Sequence, residues 1–289
     1  MAENSRAINR VFTHGVISDL INTGNNDVFD YVVKRYVNDP NNKTHGELFS
    51  EIYSHLEKEK RNEYYYLNTL LNRILVGIHS VNTTTALSQI RIGKHIADFI
   101  MINGDGKVYE IKSDLDDFDR LHDQLMDYYK AFSMVSVLST LQEYEKISLL
   151  LSKMGVMGES VGVYMLNDSD AFFNRNYRKE PLIFNDLLNH NCMFKLMRKC
   201  EYENVINKYY KKLPQVKPVF HFRICFEWFM DIPVLEAQKM VMNELRKRNK
   251  IEKSVFESIQ SEVKSVVYFS NLKNNIQLLR KLLKSKYRG

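Results

Sequence analysis

Three charged residues interrupt two short apolar runs in the stretch HIADFIMINGDGKVYEIKS, residues 95–113: Asp98 in the first run, Glu110 and Lys112 in the second. A charge on an inward-facing strand position is costly unless something pairs it. Side chains alternate along a strand, so Glu110 and Lys112 share a face with Val108. The connection suits a three-residue hairpin loop, Gly104-Asp105-Gly106, with positive φ at Gly106. In that register Asn103 pairs with Lys107 and Asp98 sits opposite Lys112. Glu110 is then one diagonal step away, within reach on the same face. A two-residue loop would turn Asp98 to the other face. Two close carboxylates repel unless a cation separates them. A hard divalent ion, Mg²⁺ or Mn²⁺, takes such oxygen donors while keeping waters. It eases deprotonation of a bound water and stabilises charge growing on a phosphoryl oxygen. A neighbouring lysine orients that water or offsets phosphate charge, so the constellation points to metal-assisted phosphodiester hydrolysis. The simpler alternative is a surface hairpin whose Asp98–Lys112 salt bridge is worth little.

The elements around these residues are legible from periodicity. Residues 5–60 carry apolar residues at helical spacing, broken at GNN and NDPNN. Thr44 with Glu47 three residues on has the spacing of a capping box. A further helix is expected from Asn62 to about Gly77. From about Thr84, TALSQIRIG, HIADFIMIN and KVYEIKS read as three strands. FDRLHDQLMDYYKAFS then reads as a helix, MVSVLST as a strand, LQEYEKISLLLSKMG as a helix and SVGVYML as a strand. The order α-β-β-β-α-β-α-β predicts an α/β fold with a mixed sheet. After about Asp168 the pattern is mainly helical, clearest in FNDLLNHNCMFKLMRK, PVLEAQKMVMNELRKR and KNNIQLLRKLLKSK. The expected domains are a helical segment 1–60, a core 61–168 and a basic helical domain 169–289.

Asp98 followed by EIK at 110–112, in this order of elements, resembles the PD-(D/E)XK nuclease superfamily, over about residues 60–168. The resemblance implies a restriction-endonuclease-like core in which Asp98, Glu110 and the main-chain carbonyl of Ile111 hold the metal and Lys112 stands at the attacking water. Ala97 occupies the place of the name-giving proline, which many members lack. QLMDY places Gln124 and Tyr128 four apart, one turn along a helix. This resembles the Q-x-x-x-Y motif of the RecB-like branch, which implies a catalytic role for Gln124 and substrate contact for Tyr128. Tyr128 also belongs to an ordinary apolar stripe with Leu121, Leu125 and Phe132, whereas a glutamine in that stripe needs a partner. Glu63 opens the helix before the sheet, where the superfamily often places a third acid. An acid in a first helical turn is also favourable with no ligand. The whole run further resembles a group of bacterial proteins of this superfamily, some of them near mobile elements or defence genes.

Charge distribution adds an expected handle for substrate. Residues 1–170 hold 17 Lys+Arg against 24 Asp+Glu, and residues 171–289 hold 24 against 11. This suggests an acidic part followed by a basic one that meets a polyanion, or two solvated helix faces of opposite sign. Arg91, Lys94 and Arg73 near the core, the mixture FFNRNYRK at 172–179, and Arg246, Lys247, Arg248 and Lys250 are the candidate phosphate contacts. RKLLKSKYR at 280–288 is another, or an amphipathic helix end packed on its own domain. The acidic run SDLDDFDR, with Asp114, Asp116, Asp117 and Asp119, reads as a solvated loop that would repel nucleic acid. The partner expected is nucleic acid, DNA before RNA, with a homo-oligomer or protein partner through the helical parts as a further expectation. No apolar run reaches membrane-spanning length. The start lacks a secretory h-region. Cys192, Cys200 and Cys225 lack metal-ligand spacing, a zinc site with His190 being the less favoured reading. A cytoplasmic protein is therefore expected. The rival to a nuclease is a nuclease-fold module without catalysis, acting in nucleic-acid binding or regulation.

Overall fold

The computed structural model describes residues 2–59, 61–73, 81–113, 116–166 and 177–289. Five helices come first: α1 (Ala2–Val11), α2 (His14–Thr23), α3 (Asp27–Tyr36), α4 (His45–Glu59) and α5 (Glu63–Arg73). Strands β1 (Thr85–Ile92), β2 (His95–Asn103) and β3 (Asp105–Ile111) follow, then α6 (Leu121–Tyr129) and β4 (Met134–Thr140). Helices α7 (Tyr144–Ser152) and α8 (Gly155–Ser160) lead to β5 (Gly162–Leu166) and the short β6 (Arg178–Lys179). Seven helices complete the chain: α9 (His190–Leu196), α10 (Lys199–Tyr210), α11 (Pro218–Met230), α12 (Val234–Leu245), α13 (Lys253–Glu257), α14 (Lys264–Phe269) and α15 (Ile276–Lys284). The protein is thus α/β, with a mixed, open, six-stranded sheet flanked in sequence by helical regions.

Two units result: residues 1–82 with 250–289, and residues 83–249. The expected boundaries at 60 and 168 are not those of the structure, because both chain ends fold together. Asn26 caps α3 by accepting from the amides of Val28 and Phe29. Thr44 and Glu47 form the expected capping box, the Glu47 carboxylate taking the Thr44 amide at 2.7 Å. Phe29, Phe49 and Tyr66 are fully buried in this helical unit. The chain's last segment closes it. The Tyr287 hydroxyl donates to Asp30 at 2.8 Å, and buried Asn68 accepts from the Ser265 amide and donates to the Ser261 carbonyl. The basic C-terminal helix α15 buries Leu279 and Leu282 against its own unit. It is therefore the packed amphipathic end that its pattern allowed.

In the sheet unit the strands lie in sequence order. β1–β2–β3 are antiparallel, β3–β4–β5 parallel, and β6 returns antiparallel to β5. One sheet face packs on α6: Ile100, Ile102 and Val108 share a core with Leu121, Leu125, Tyr128 and Phe132. The hairpin is tighter than expected. Asn103 pairs with Asp105, Phe99 with Tyr109, and the positive φ falls at Gly104 (80°), not Gly106. Gly106 is needed for another reason: a Cβ there would meet Met242 and Phe132 at 2.5–2.6 Å. The new register differs from the expected one by two residues, an even number, so every side chain keeps its face.

The carboxylate of Asp127 ties α6 to the β1–β2 turn. It accepts from the Lys94 amide at 2.8 Å and His95 Nδ1 at 2.7 Å, and pairs with Lys130. Burial pushes its carboxyl up, but the hydrogen bonds from Lys130, Lys94 and His95 outweigh burial and hold it below the usual carboxylate range. Its stabilisation is therefore complete above the unfolded carboxylate's titration and is lost as pH falls through the lowered folded value. Elsewhere in the unit, α11 falls in the stretch expected to be mainly helical but not among its clearest pieces, because PVFHFRICFEWFM is apolar nearly all round and shows no helical stripe. The expected single helix across FNDLLNHNCMFKLMRK instead starts only at His190, where Asn189 accepts from the Cys192 amide, and is followed after Leu196 by a second, α10. Asp127→Asn is expected to cost about 2 kcal/mol at neutral pH, from the loss of charge-assisted hydrogen bonds, and less below about pH 3. Urea denaturation across pH measures it; an unchanged midpoint at pH 7 would show that the clamp is dispensable.

Candidate active site

Lys112, Gln124 and Tyr128 meet around the carboxylate of Glu110, with Asp98 on the neighbouring strand. Glu110 is 2% exposed and Lys112 6%, which rules out the surface-hairpin alternative. β3 carries Glu110 inward beside Val108, and the chain beyond β3 is still held by β4. The Lys112 amide donates to the Leu138 carbonyl at 2.8 Å, and Ser139 Oγ donates to the Lys112 carbonyl at 2.7 Å. These bonds fix the Lys112 backbone at the C-terminal end of β3. Its ammonium lies 3.2 Å from Glu110 Oε1 and donates to Gln124 Oε1 at 2.8 Å. The Gln124 amide nitrogen in turn donates to Glu110 Oε1. One glutamine thus bridges the acid and the base, its oxygen facing the cation and its nitrogen the anion.

The second Glu110 oxygen lies 2.7 Å from the Tyr128 hydroxyl, which also lies 2.9 Å from the Ile96 carbonyl. That hydroxyl has one proton for two oxygen neighbours. Both contacts have Tyr128 as the donor, so its single proton is shared between Glu110 and the Ile96 carbonyl. Burial pushes the Glu110 carboxyl above its ordinary range, against the opposing pull of Lys112 and the hydrogen bonds from Tyr128 and Gln124. Burial and the Glu110 charge push the Tyr128 phenol up as well.

Asp98 completes the patch by a route the sequence did not show. Continuing the observed register by one residue sets it across from Glu110 rather than Lys112. There its Oδ2 accepts from the Ile111 amide at 2.8 Å. The donor set is two carboxylates on neighbouring strands beside a lysine. It fits a hard cation that binds through one or two carboxylates and keeps its waters. Among the described residues no three His, Cys, Asp or Glu side chains are gathered as a metal cluster. The expected third acid, Glu63, opens α5 in the helical unit.

The remaining candidates separate. Arg91 and Lys94 flank the β1–β2 turn as exposed side chains, the Arg91 guanidinium donating to the Lys94 carbonyl at 3.2 Å. Arg73 ends α5, in the helical unit. Arg246 and Lys247 are exposed at the end of α12, with Lys247 paired to Glu244, and Lys250 belongs to the helical unit. Arg248 does not serve as a phosphate contact. Its guanidinium takes both Glu201 oxygens, at 2.5 and 2.6 Å, and donates to the Leu196 carbonyl, locking α12 to α10. The expected acidic-then-basic split also dissolves in space. The helical unit holds 18 Lys+Arg against 13 Asp+Glu and the sheet unit 23 against 22. Asp114 and most of FFNRNYRK lie outside the described residues. Asp116 accepts from Ser113 and Asp117 from the Asp119 amide, as expected of a solvated loop. Sequence reasoning missed Asp127 and His95; their one signal was the acid inside QLMDY.

The family model for bacteriophage P4 protein cII matches residues 56–287, most of the chain. No curated protein and no solved structure matches it. Among the described residues no helix is long and apolar enough to cross a membrane.

Because the raised Glu110 pKa penalises its ionised form in the fold, that penalty grows as pH rises through the unfolded value. Glu110→Gln is therefore expected to melt above the parent at pH 7, the gain shrinking toward about pH 4. A lower melting temperature at pH 7 would mean that pairing with Lys112 outweighs burial. Arg248→Ala, which strands the buried Glu201, is expected to cost about 3 kcal/mol in urea denaturation, while Arg246→Ala stays within about 0.5 kcal/mol. Equal effects would remove the structural assignment of Arg248.

Proposed function

We propose that this chain, which belongs to the bacteriophage P4 protein cII family, is a metal-dependent phosphodiesterase of the PD-(D/E)XK type acting on nucleic acid, DNA before RNA. The observation that carries this reading is the convergence of Lys112 with Gln124 and Tyr128 of the following helix on the buried Glu110 carboxylate, with Asp98 on the strand beside it. Two motifs read separately in the sequence meet at hydrogen-bond distance, as a restriction-endonuclease-like core requires. A salt-bridged hairpin gives no reason for Gln124 to reach both Glu110 and Lys112.

Asp98 and Glu110 would hold Mg²⁺ or Mn²⁺, with the Ile111 carbonyl implied as a further ligand by the resemblance. Such an ion, when bound, activates water and stabilises charge on a phosphoryl oxygen. The chain's own residues do the rest. Gln124 holds Glu110 and Lys112 in a fixed relation, so neither must reorganise when substrate arrives. The Lys112 ammonium places a positive charge beside the acids, where the phosphate and the attacking water come. Tyr128 fixes the far oxygen of Glu110, and the apolar wall of Leu121, Leu125 and Val108 excludes bulk water from the inner side.

A second reading has its own support. Both Glu110 oxygens are already engaged by internal donors, which suits a nuclease fold kept as a binding or regulatory module. Thermal stabilisation by Mn²⁺ separates the two, because only a metal-binding site raises the melting temperature by mass action.

The decisive experiment incubates the purified chain with single- and double-stranded DNA and RNA in Mg²⁺, Mn²⁺ or EDTA. Asp98→Ala and Glu110→Ala are expected to abolish cleavage with the fold intact. Gln124→Ala should lower it about 10- to 100-fold, as loss of a residue that orients metal ligands does. Lys112→Ala should keep Mn²⁺ binding by calorimetry and lose turnover. Parental rates in either acid variant would sink the assignment.

A further inference from the structure

Between Glu203 and Glu227 the chain carries Lys208, Lys211, Lys212, Lys217 and Arg223 and no acid. All five side chains are exposed. This is a local surplus in a unit whose charges nearly balance as a whole. The same segment, from the end of α10 into α11, exposes large apolar side chains: Val219 at 78%, Phe222 at 52% and Phe220 at 44%. The Arg223 guanidinium lies over the Phe220 ring, 5.3 Å from its centroid. Phe222 is braced from within, its ring 5.2 Å from that of Phe194 and 5.8 Å from that of Tyr202. Glu227 pairs with Arg223 and Glu203 with His221 at the edges of the segment, while the lysines between them face no acid in sequence. Exposed rings, one of them braced from within, beside these lysines are the elements of a base-stacking platform on a backbone-tracking groove.

We infer that the α10–α11 segment binds single-stranded nucleic acid, with Phe220 and Phe222 stacking on bases and Lys211, Lys212 and Lys217 holding the phosphates. The inference rests on the phosphodiesterase reading for its purpose and names the substrate form that reading leaves open. Three other occupants fit less well. A second copy docked symmetrically would bring five positive charges against five. A membrane-lying helix keeps its cations at the edge of an apolar face, whereas Arg223 covers the ring in its middle. An acidic protein would use the lysines but has no need of flat rings. A base stacked on the Phe220 face opposite the guanidinium uses the ring, and the lysines take its phosphates.

Fluorescence anisotropy of a labelled mixed-sequence single strand, in EDTA and across a salt series, tests this on the full chain. EDTA separates binding from the proposed catalysis, so failure here leaves the Asp98 and Glu110 assignment standing, and the reverse. Lys211→Gln/Lys212→Gln/Lys217→Gln is expected to flatten the plot of log affinity against log salt by about two, at about 0.7 per phosphate contact. Phe220→Ala should weaken binding on the order of tenfold to a hundredfold with no change in slope. Phe220→Trp should restore it, and Phe220→Leu, which keeps apolar area without a π-face, should not. Duplex of the same sequence should be insensitive to Phe220→Ala. Equal affinity in parent and Phe220→Ala would overturn the proposal. So would full rescue by leucine, the mark of an apolar protein partner. Phe220-dependent self-association in sedimentation, or Phe220-dependent binding to phosphatidylserine vesicles with strand binding unaltered, would likewise overturn it.

Discussion

A carboxylate at the heart of a sheet has to be neutralised, and Glu110 sets that demand. It is nearly inaccessible to water, and a buried acid lacking partners would cost several kcal/mol. Three donors meet the demand: Lys112 from two residues along the chain, and Gln124 and Tyr128 from α6. Once they are in place, the orientation of α6 on the sheet is no longer free, because its polar groups must reach Glu110 while Leu121 and Leu125 fill the core. The end of β3 is constrained as well, since Lys112 reaches Glu110 only while β4 holds its amide and carbonyl.

Helix α6 has two polar tasks besides its apolar one. Gln124 and Tyr128 serve Glu110, and Asp127, between them in sequence, clamps the β1–β2 turn. Successive helical residues point about 100° apart, so a helix lying on a sheet can address a strand interior and a turn at once. The same geometry explains why the helix is rigidly set. Rotating it to relieve one contact would break the others, and each lost bond would leave a buried polar group unpaired.

Cationic residues divide into those that hold the fold and those turned outward. Arg248 is used internally to join α10 and α12. The lysines of the α10–α11 segment and the Arg91–Lys94 turn face solvent. Sequence runs of like charge therefore say little about a binding surface until burial sorts them: RKRNK at 246–250 divides between an internal lock, exposed side chains and the other unit.

The sequence by itself determined most elements of the sheet unit and the face on which the candidate site lies. Strand alternation put Asp98, Glu110 and Lys112 together, and the hairpin shift of two residues could not undo this, because parity survives an even slip. The one-turn spacing in QLMDY brought Gln124 and Tyr128 onto one helical face. Tertiary structure decided whatever depends on partners remote along the chain. It paired Lys112 with Glu110 and set Asp98 across from Glu110. It assigned Asp127 to a turn more than thirty residues away and withdrew Arg248 into a pair with Glu201. It folded residues 250–289 onto the first 82. These outcomes follow from burial and from the pairing of buried charge, which are set by the packed whole, whereas periodicity and local spacing are properties of the chain alone.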